Sequence, residues 1–280
     1  MSYAIDRHTP THARHPERMR RISKNGHMSI DRKDNGENET NLSLYTLDVI
    51  IRKDFLMELN IIAHMRSDFT TKFGLPRQSG LVEELTGRVV FEKEYSNPIA
   101  LRGLDGFSHI WLIWGFSEAE REGWSPTVKP PRLGGKTRMG VFATRSPFRP
   151  NSIGLSCVKL LGIENTREGL SLTVAGADLM DGTPIYDIKP YLPYADSHPE
   201  ALEGFAGPVK EDTLKVDIPQ KWLDMIPADK QEALRCALRG DPRPSYHHDP
   251  ERRYGFEFAG LDVRFKVKDG LLTVCEVVKL

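Results

Sequence analysis

Cysteine is scarce in this chain: three in 280 residues, Cys157, Cys236 and Cys275, set far apart. That spacing excludes a disulfide framework and a Cys-x-x-Cys metal site, and it fits the reducing cytoplasm. Long hydrophobic runs are missing as well. The longest, Ile110 to Phe116, falls far short of the ~20 apolar residues that a membrane-spanning helix requires, so no transmembrane segment is expected. No apolar core follows the N-terminal charges, as it would in a signal peptide. Net charge is absent too, with 39 basic against 39 acidic residues, so any information about partners lies in how charge is distributed. The chain also lacks a Gly-x-Gly-x-x-Gly turn, and no helix of about 12 residues alternates with its apolar runs, which argues against a doubly wound parallel sheet.

What the chain does have is a concentration of positive charge in one loop. Between Lys129 and Pro150 stand Lys129, Arg132, Lys136, Arg138, Arg145 and Arg149, with no acidic residue among them. Pro147 and Pro150 fix φ and stiffen the end of this stretch. A stiff, locally cationic loop in a neutral chain suits an anion, or the carboxylate or phosphate of a ligand. A solvated basic loop is the alternative.

Three regions follow from composition. Residues 1–56 carry His8, His12, His15, an arginine run and DRKDNGENET with little apolar content, so a disordered or non-native extension is expected, with Met57 as the natural start. A basic tail that touches nucleic acid is the other reading. Residues 57–200 show short apolar runs bounded by turn residues: Leu59 to Met65, Arg88 to Glu92, His109 to Phe116, Met139 to Thr144, Gly154 to Ile163 and Leu170 to Ala175. These have strand length and strand composition, and closing such a meander into a barrel removes its edges. His109 is expected as a satisfied core histidine. Residues 205–280 form a small α+β domain, with helical spacing over 219–239, Pro227 opening a second helix, and strands near Gly255, Val263 and Val274.

Two motifs carry little. Gly135-Lys136-Thr137 imitates the end of a phosphate-binding loop, but Pro130 stands where its first glycine belongs. His247-His248-Asp249 reads as a surface turn, because no other ligand has metal spacing to it, and no metal site is expected. The stretch ADLMDGTPIYDIKPYLP is different. Asp178, Asp181 and Asp187 are dense enough to be turn formers, but Tyr186, Lys189 and Tyr191 accompany them and the basic loop supplies opposite charge. A site for a cationic cofactor or an amine is the reading preferred.

Taken together, PRQSGLV (76–82), LRGLDGFSHIWLIW (101–114), GWSPTVKPPRLGG (123–135), MGVFATRSPFRPNSIG (139–154), DLMDGTPIYDIKPYLPYA (178–195) and DPRPSY (241–246) resemble the TsaA-like tRNA methyltransferases. The resemblance implies a β-barrel rather than a Rossmann core, S-adenosyl-L-methionine as cofactor, and a homodimer with the cofactor near the subunit interface. It implies methyl transfer to the exocyclic amino nitrogen of threonylcarbamoyl-adenosine beside the tRNA anticodon. It assigns cofactor contacts to Pro76, Arg77, Gln78, Ser117, Glu118, Arg145, Leu155, Asp181, Gly182 and Thr183. The acceptor nitrogen is urea-like and a poor nucleophile, so a carboxylate that takes its proton would help, and Asp178 or Asp187 is the candidate base. Arg149, Asn151 and Lys189 are candidates for the threonyl carboxylate or a phosphate, Tyr191 for stacking on a base, and Arg243 and Tyr246 for further tRNA contacts. A same-fold methyltransferase with another acceptor, or a non-catalytic nucleic-acid-binding module, is the alternative.

Overall fold

Alternation along the strands builds the first sheet. The computed structural model describes residues 58–119, 123–133, 135–207, 213–244, 247 and 249–280. The expectations for residues 1–56, and for Tyr246 and His248, lie outside the described residues. Leu59–Leu280 is one compact unit. Its first strands are β1 (Ala63–Arg66), β2 (Thr86–Phe91), β3 (His109–Gly115), the short β4 (Thr127–Val128) and β5 (Met139–Gly140), β6 (Ile153–Thr166), β7 (Gly169–Ala175) and β8 (Pro184–Pro190). In β3, Ile110, Leu112 and Trp114 are buried while His109, Trp111 and Ile113 stay partly exposed. That period of two puts one face of each strand into a core with Ala63, Met65, Val89, Val158, Leu172, Val174 and Ile185.

Six strands pair in the order β1-β2-β7-β6-β3-β8, and β8 returns to β1 through Ala63↔Ile185 and His64↔Pro184, closing the barrel. The strands do not follow the expected meander, because β3 lies between β6 and β8, and β2 lies beside β7. β8 was hidden in the sequence by its terminal prolines, which the first position of a strand tolerates. Met139 to Thr144 is not a full strand either, since β5 gives way to a 3-10 turn at Val141–Ala143. His109 is not a core residue. Its ring is half-exposed and bonds Ser108 Oγ at 2.9 Å.

The remaining elements are the single helical turns α1 (Pro193–Asp196) and α2 (Gln220–Leu223), then β9 (Lys215–Asp217), α3 (Gln231–Arg239), β10 (Tyr254–Phe258), β11 (Leu261–Lys268) and β12 (Leu271–Lys279). The four C-terminal strands run β10-β11-β12-β9. Across this sheet α3 buries Ala233, Leu234, Ala237 and Leu238, which share one face at helical spacing.

The connection from β1 to β2 ties the barrel to the C-terminal core. It leaves the barrel, and its Phe69, Val82 and Leu85 are buried in the C-terminal core. Phe69 is 2% exposed, with its ring centroid 6.0 Å from Phe256 and 5.2 Å from Phe258. Beside it, Lys230 Nζ lies 2.6 Å from Asp68 Oδ2, and the Ala259 N–H donates to Asp68 O at 2.9 Å. Gly74 has φ +98°, and a Cβ there would stand 2.5 Å from the Phe256 ring, so only glycine fits this turn.

Candidate active site

Register decides which loops meet. β3 ends at Gly115 opposite Ile153, the first residue of β6. β7 ends at Ala175 opposite Thr86, the first residue of β2. β8 begins at Pro184 opposite His64 of β1. The three long connections, 67–85, 116–152 and 176–183, therefore all leave one end of the barrel, and nearly every expected cofactor residue sits on them.

At this end a half-buried carboxylate, Asp178, is built into the structure. Ser156 occupies an inward position of β6 and is fully buried. Its hydroxyl accepts the Trp114 indole N–H at 3.0 Å and donates to Asp178 Oδ1 at 2.6 Å. Burial pushes the Asp178 carboxyl above the usual carboxylate range, against the opposing pull of the Ser156 hydroxyl, the backbone N–H groups of Asp178 and Ser79, and the nearby Arg145 charge. Arg145 is exposed, and its guanidinium donates to Gln78 Oε1. Gln78, Ser79, Arg145 and Asp178 thus gather from three loops into one cluster.

The neighbouring candidates divide by what they already hold. Asp181 accepts the Ser67 N–H at 3.2 Å and lies 3.8 Å from Arg66, while the N–H of Gly182 donates to Met65 O at 2.8 Å. Thr183 is buried and its hydroxyl donates to Met180 O at 2.8 Å, so Asp181 to Thr183 form a turn pinned to β1. Pro76 is half-buried beside Arg77, whose guanidinium donates to Asp241 O and Arg243 O at 3.3 and 3.5 Å. That contact draws the Asp241 to Pro244 loop toward the same end. Arg243 itself is engaged by the Asp241 carboxylate through two contacts of 2.8 Å, which raises its pKa further. Ser117 and Glu118 are exposed at the start of the 116–152 connection, and Asn151 is exposed at its end. Arg149 is half-buried and donates to Thr144 O at 3.3 Å.

Four candidates stand apart. Leu155 is 56% exposed on the outer face of β6, opposite Ile113 and turned away from Ser156. Asp187 lies on β8 opposite Ile113 and forms a 2.8 Å ion pair with the exposed Lys189. Tyr191, just beyond β8, donates its N–H to His109 O, and its ring lies 6.2 Å from His109 and 5.7 Å from Trp111. At ~3.3 Å per residue, Tyr191 lies roughly 20 Å along the strand from the cluster around Asp178.

Sequence reasoning missed Trp114, Ser156 and Asp241. For Ser156 a signal existed: a hydroxyl at an inward position between Gly154 and Val158 must find a partner. Ser156→Ala removes the donor that holds Asp178 down, so the Asp178 pKa is expected to rise further. An activity that requires the ionised carboxylate would then show its acid limb displaced to higher pH. The pH profile of turnover checks this, and an unmoved limb would separate Asp178 from the rate.

A closed antiparallel barrel with a carboxylate, a guanidinium and an amide gathered at one rim is an architecture unlike a Rossmann cleft. Two family models match this chain, one described as the tRNA-methyltransferase O N-terminal domain over residues 64–197 and the other as the TrmO C-terminal domain over 214–280. The chain belongs to the TrmO family. A tRNA (adenine(37)-N6)-methyltransferase of Escherichia coli is 41% identical over 216 residues, which cover 74% of this chain and 92% of that protein. One of the same name from Eikenella corrodens is 43% identical over 173 residues, 60% of this chain and 95% of that protein. The crystal structure of TrmO from Pseudomonas aeruginosa superposes with a TM-score of 0.65 at 31% identity, covering 80% of this chain and 100% of that one.

Proposed function

We propose that this protein transfers the methyl group of S-adenosyl-L-methionine to the exocyclic amino nitrogen of the threonylcarbamoyl-adenosine beside a tRNA anticodon. The observation that carries the reading is the gathering of Gln78, Arg145 and the half-buried Asp178 at one barrel rim. S-adenosyl-L-methionine supplies, when bound, an electrophilic methyl group on a sulfonium. The residues present fit such a ligand. Arg145 suits the carboxylate of its amino-acid tail, and Asp181 the ammonium. Pro76, Arg77, Gln78 and the turn Asp181 to Thr183 offer backbone and amide partners for the adenosine. Gly182 has φ +76° with open space where a Cβ would stand, so a ligand can approach the chain closely there. Ser117, Glu118 and Leu155 complete the cofactor contacts, Leu155 from the outer face.

Asp178 is the better base of the two carboxylates. It is half-buried, desolvated enough to raise its pKa, and oriented by Ser156, whereas Asp187 is tied to Lys189. Asp178 accepts the proton that leaves the acceptor nitrogen as the new C–N bond forms, and its raised basicity favours that step. Arg149 and Asn151 hold the threonyl carboxylate or a phosphate. Lys189, Tyr191, Arg243 and Tyr246 meet the tRNA away from the reacting atoms. The homodimer is part of this proposal, supported by Ile153 and Leu155, which are 39% and 56% exposed on the outer face of β6. The protein works in the cytoplasm, without metal.

The test uses the full chain, isotope-labelled S-adenosyl-L-methionine and tRNA from cells that lack the modification, read by nucleoside mass spectrometry. Label on threonylcarbamoyl-adenosine is expected. Unlabelled tRNA despite cofactor binding overturns the acceptor, and failure to bind the cofactor overturns the donor.

A further inference from the structure

We propose that Trp124 and Phe142 form a stacking platform for an unpaired tRNA base adjacent to the nucleotide that is methylated. The inference rests on the reading of tRNA as substrate and names residues that the expected site did not include.

Large aromatic side chains are normally covered, yet Trp124 is 53% and Phe142 70% exposed. Their ring centroids are 6.1 Å apart with planes inclined by 29°, so the two present one apolar surface to solvent. The platform has a firm base. β4 and β5 pair through Thr127↔Gly140 and Val128↔Met139, the Val141 N–H donates to Pro126 O at 2.9 Å, and Val141, next to Phe142, is 1% exposed. Rings held by a paired ribbon lose little freedom when a base settles on them.

The surroundings choose the occupant. Residues 123–163 contain seven Lys or Arg and no Asp or Glu. Lys129, Lys136 and Arg138 are exposed, and among the described residues no carboxylate pairs with them. The Arg138 guanidinium donates to Thr127 Oγ1 at 2.9 Å, which fixes its charge on the ribbon. Exposed aromatic faces beside exposed cations match single-stranded nucleic acid, whose bases stack and whose phosphates are anionic. A second copy of this neutral chain would satisfy the rings without needing the charges. Position agrees as well. Arg145 is three positions beyond Phe142, at most about 11 Å of extended chain, so the platform lies beside the cluster around Asp178 and within reach of a neighbouring nucleotide.

The experiment measures tRNA affinity of the full chain at several salt concentrations, with S-adenosyl-L-methionine affinity and sedimentation as controls. Phe142→Ala and Trp124→Ala are each expected to weaken tRNA binding by about 5-fold to 100-fold, as loss of one stacked base would. The slope of log affinity against log salt should stay parental, and Phe142→Tyr should restore affinity. Lys136→Ala should instead reduce that slope by about 0.7–0.9, the signature of one lost phosphate contact. Parental tRNA affinity in both alanine variants, while the parent methylates tRNA, overturns the platform and leaves the proposed function standing. A change of sedimentation without a change of tRNA affinity assigns the rings to an interface between copies and likewise overturns it. A parent that neither binds nor methylates tRNA removes the functional reading and the platform with it.

Discussion

Asp178→Asn is expected to lower methyl transfer by about 100-fold to 10,000-fold, the range for loss of a positioned general base, while the protein stays folded. The asparagine keeps the shape of the side chain and an oxygen for the Ser156 hydroxyl, so cofactor binding should change little. The effect on stability has the opposite sign. Burial raises the native Asp178 pKa above its ordinary value of 3.8, so the native state holds this proton more tightly than the unfolded chain does. Stability therefore falls as pH climbs from the unfolded value through the raised native one, and the desolvation cost of the carboxylate persists at neutral pH. Removing the charge lifts that cost. Thermal unfolding of Asp178→Asn at neutral pH should occur at or above the parental temperature, and the difference should vanish in acid. Asp187→Asn is the comparison, with turnover near the parent's. Retained turnover in Asp178→Asn with cofactor bound would leave positioning alone as the source of rate.

Phe69→Ala is expected to cost about 3–5 kcal/mol of stability, the usual range for emptying a buried phenylalanine site, and to weaken cofactor binding as well. The two effects share a cause. Phe69 anchors the β1–β2 connection in the C-terminal core against Phe256 and Phe258, and the same connection carries Pro76, Arg77 and Gln78 to the barrel rim. Leu234→Ala provides the contrast. It empties a fully buried site in that core at about 2–5 kcal/mol, but it lies on α3 and leaves the connection anchored. Denaturant unfolding gives the stability losses, and calorimetric titration with S-adenosyl-L-methionine gives the affinities at a temperature where both variants are folded. Equal cofactor affinity in the two would show that the anchor and the site are independent.

Much of the barrel was legible because strand periodicity is local. His109 to Gly115 and Gly169 to Ala175 coincide with runs that composition alone marked, and the C-terminal strands lie where Gly255, Val263 and Val274 indicated them. Pairing order was not legible, since β3 finds β6 and β8 across long connections and no short window carries that choice. β8 was masked because its prolines and aspartates weigh as turn residues in a local reading. The candidate site divided in the same way. The basic loop and the aspartate-rich stretch announced themselves by charge. Asp178 and Asp187 could not be ranked until the inward position of Ser156 was known, because their partners rather than their residue type separate them. The bond from Arg77 to the Asp241 carbonyl spans 164 residues, beyond any motif.

The connection that ties the barrel to the C-terminal core also sets an order in time. Thr70 reaches its partner Glu257 across 187 residues. At about 5–20 residues per second, the ribosome delivers the C-terminal sheet roughly 10–40 s after the loop that needs it. Until then the segment bearing Pro76, Arg77 and Gln78 is held from the barrel side alone, where the Gly80 N–H donates to Gly176 O at 2.8 Å. The rim is therefore completed late, and a nascent chain stopped short of β10 would lack the anchor of Phe69 against Phe256 and Phe258.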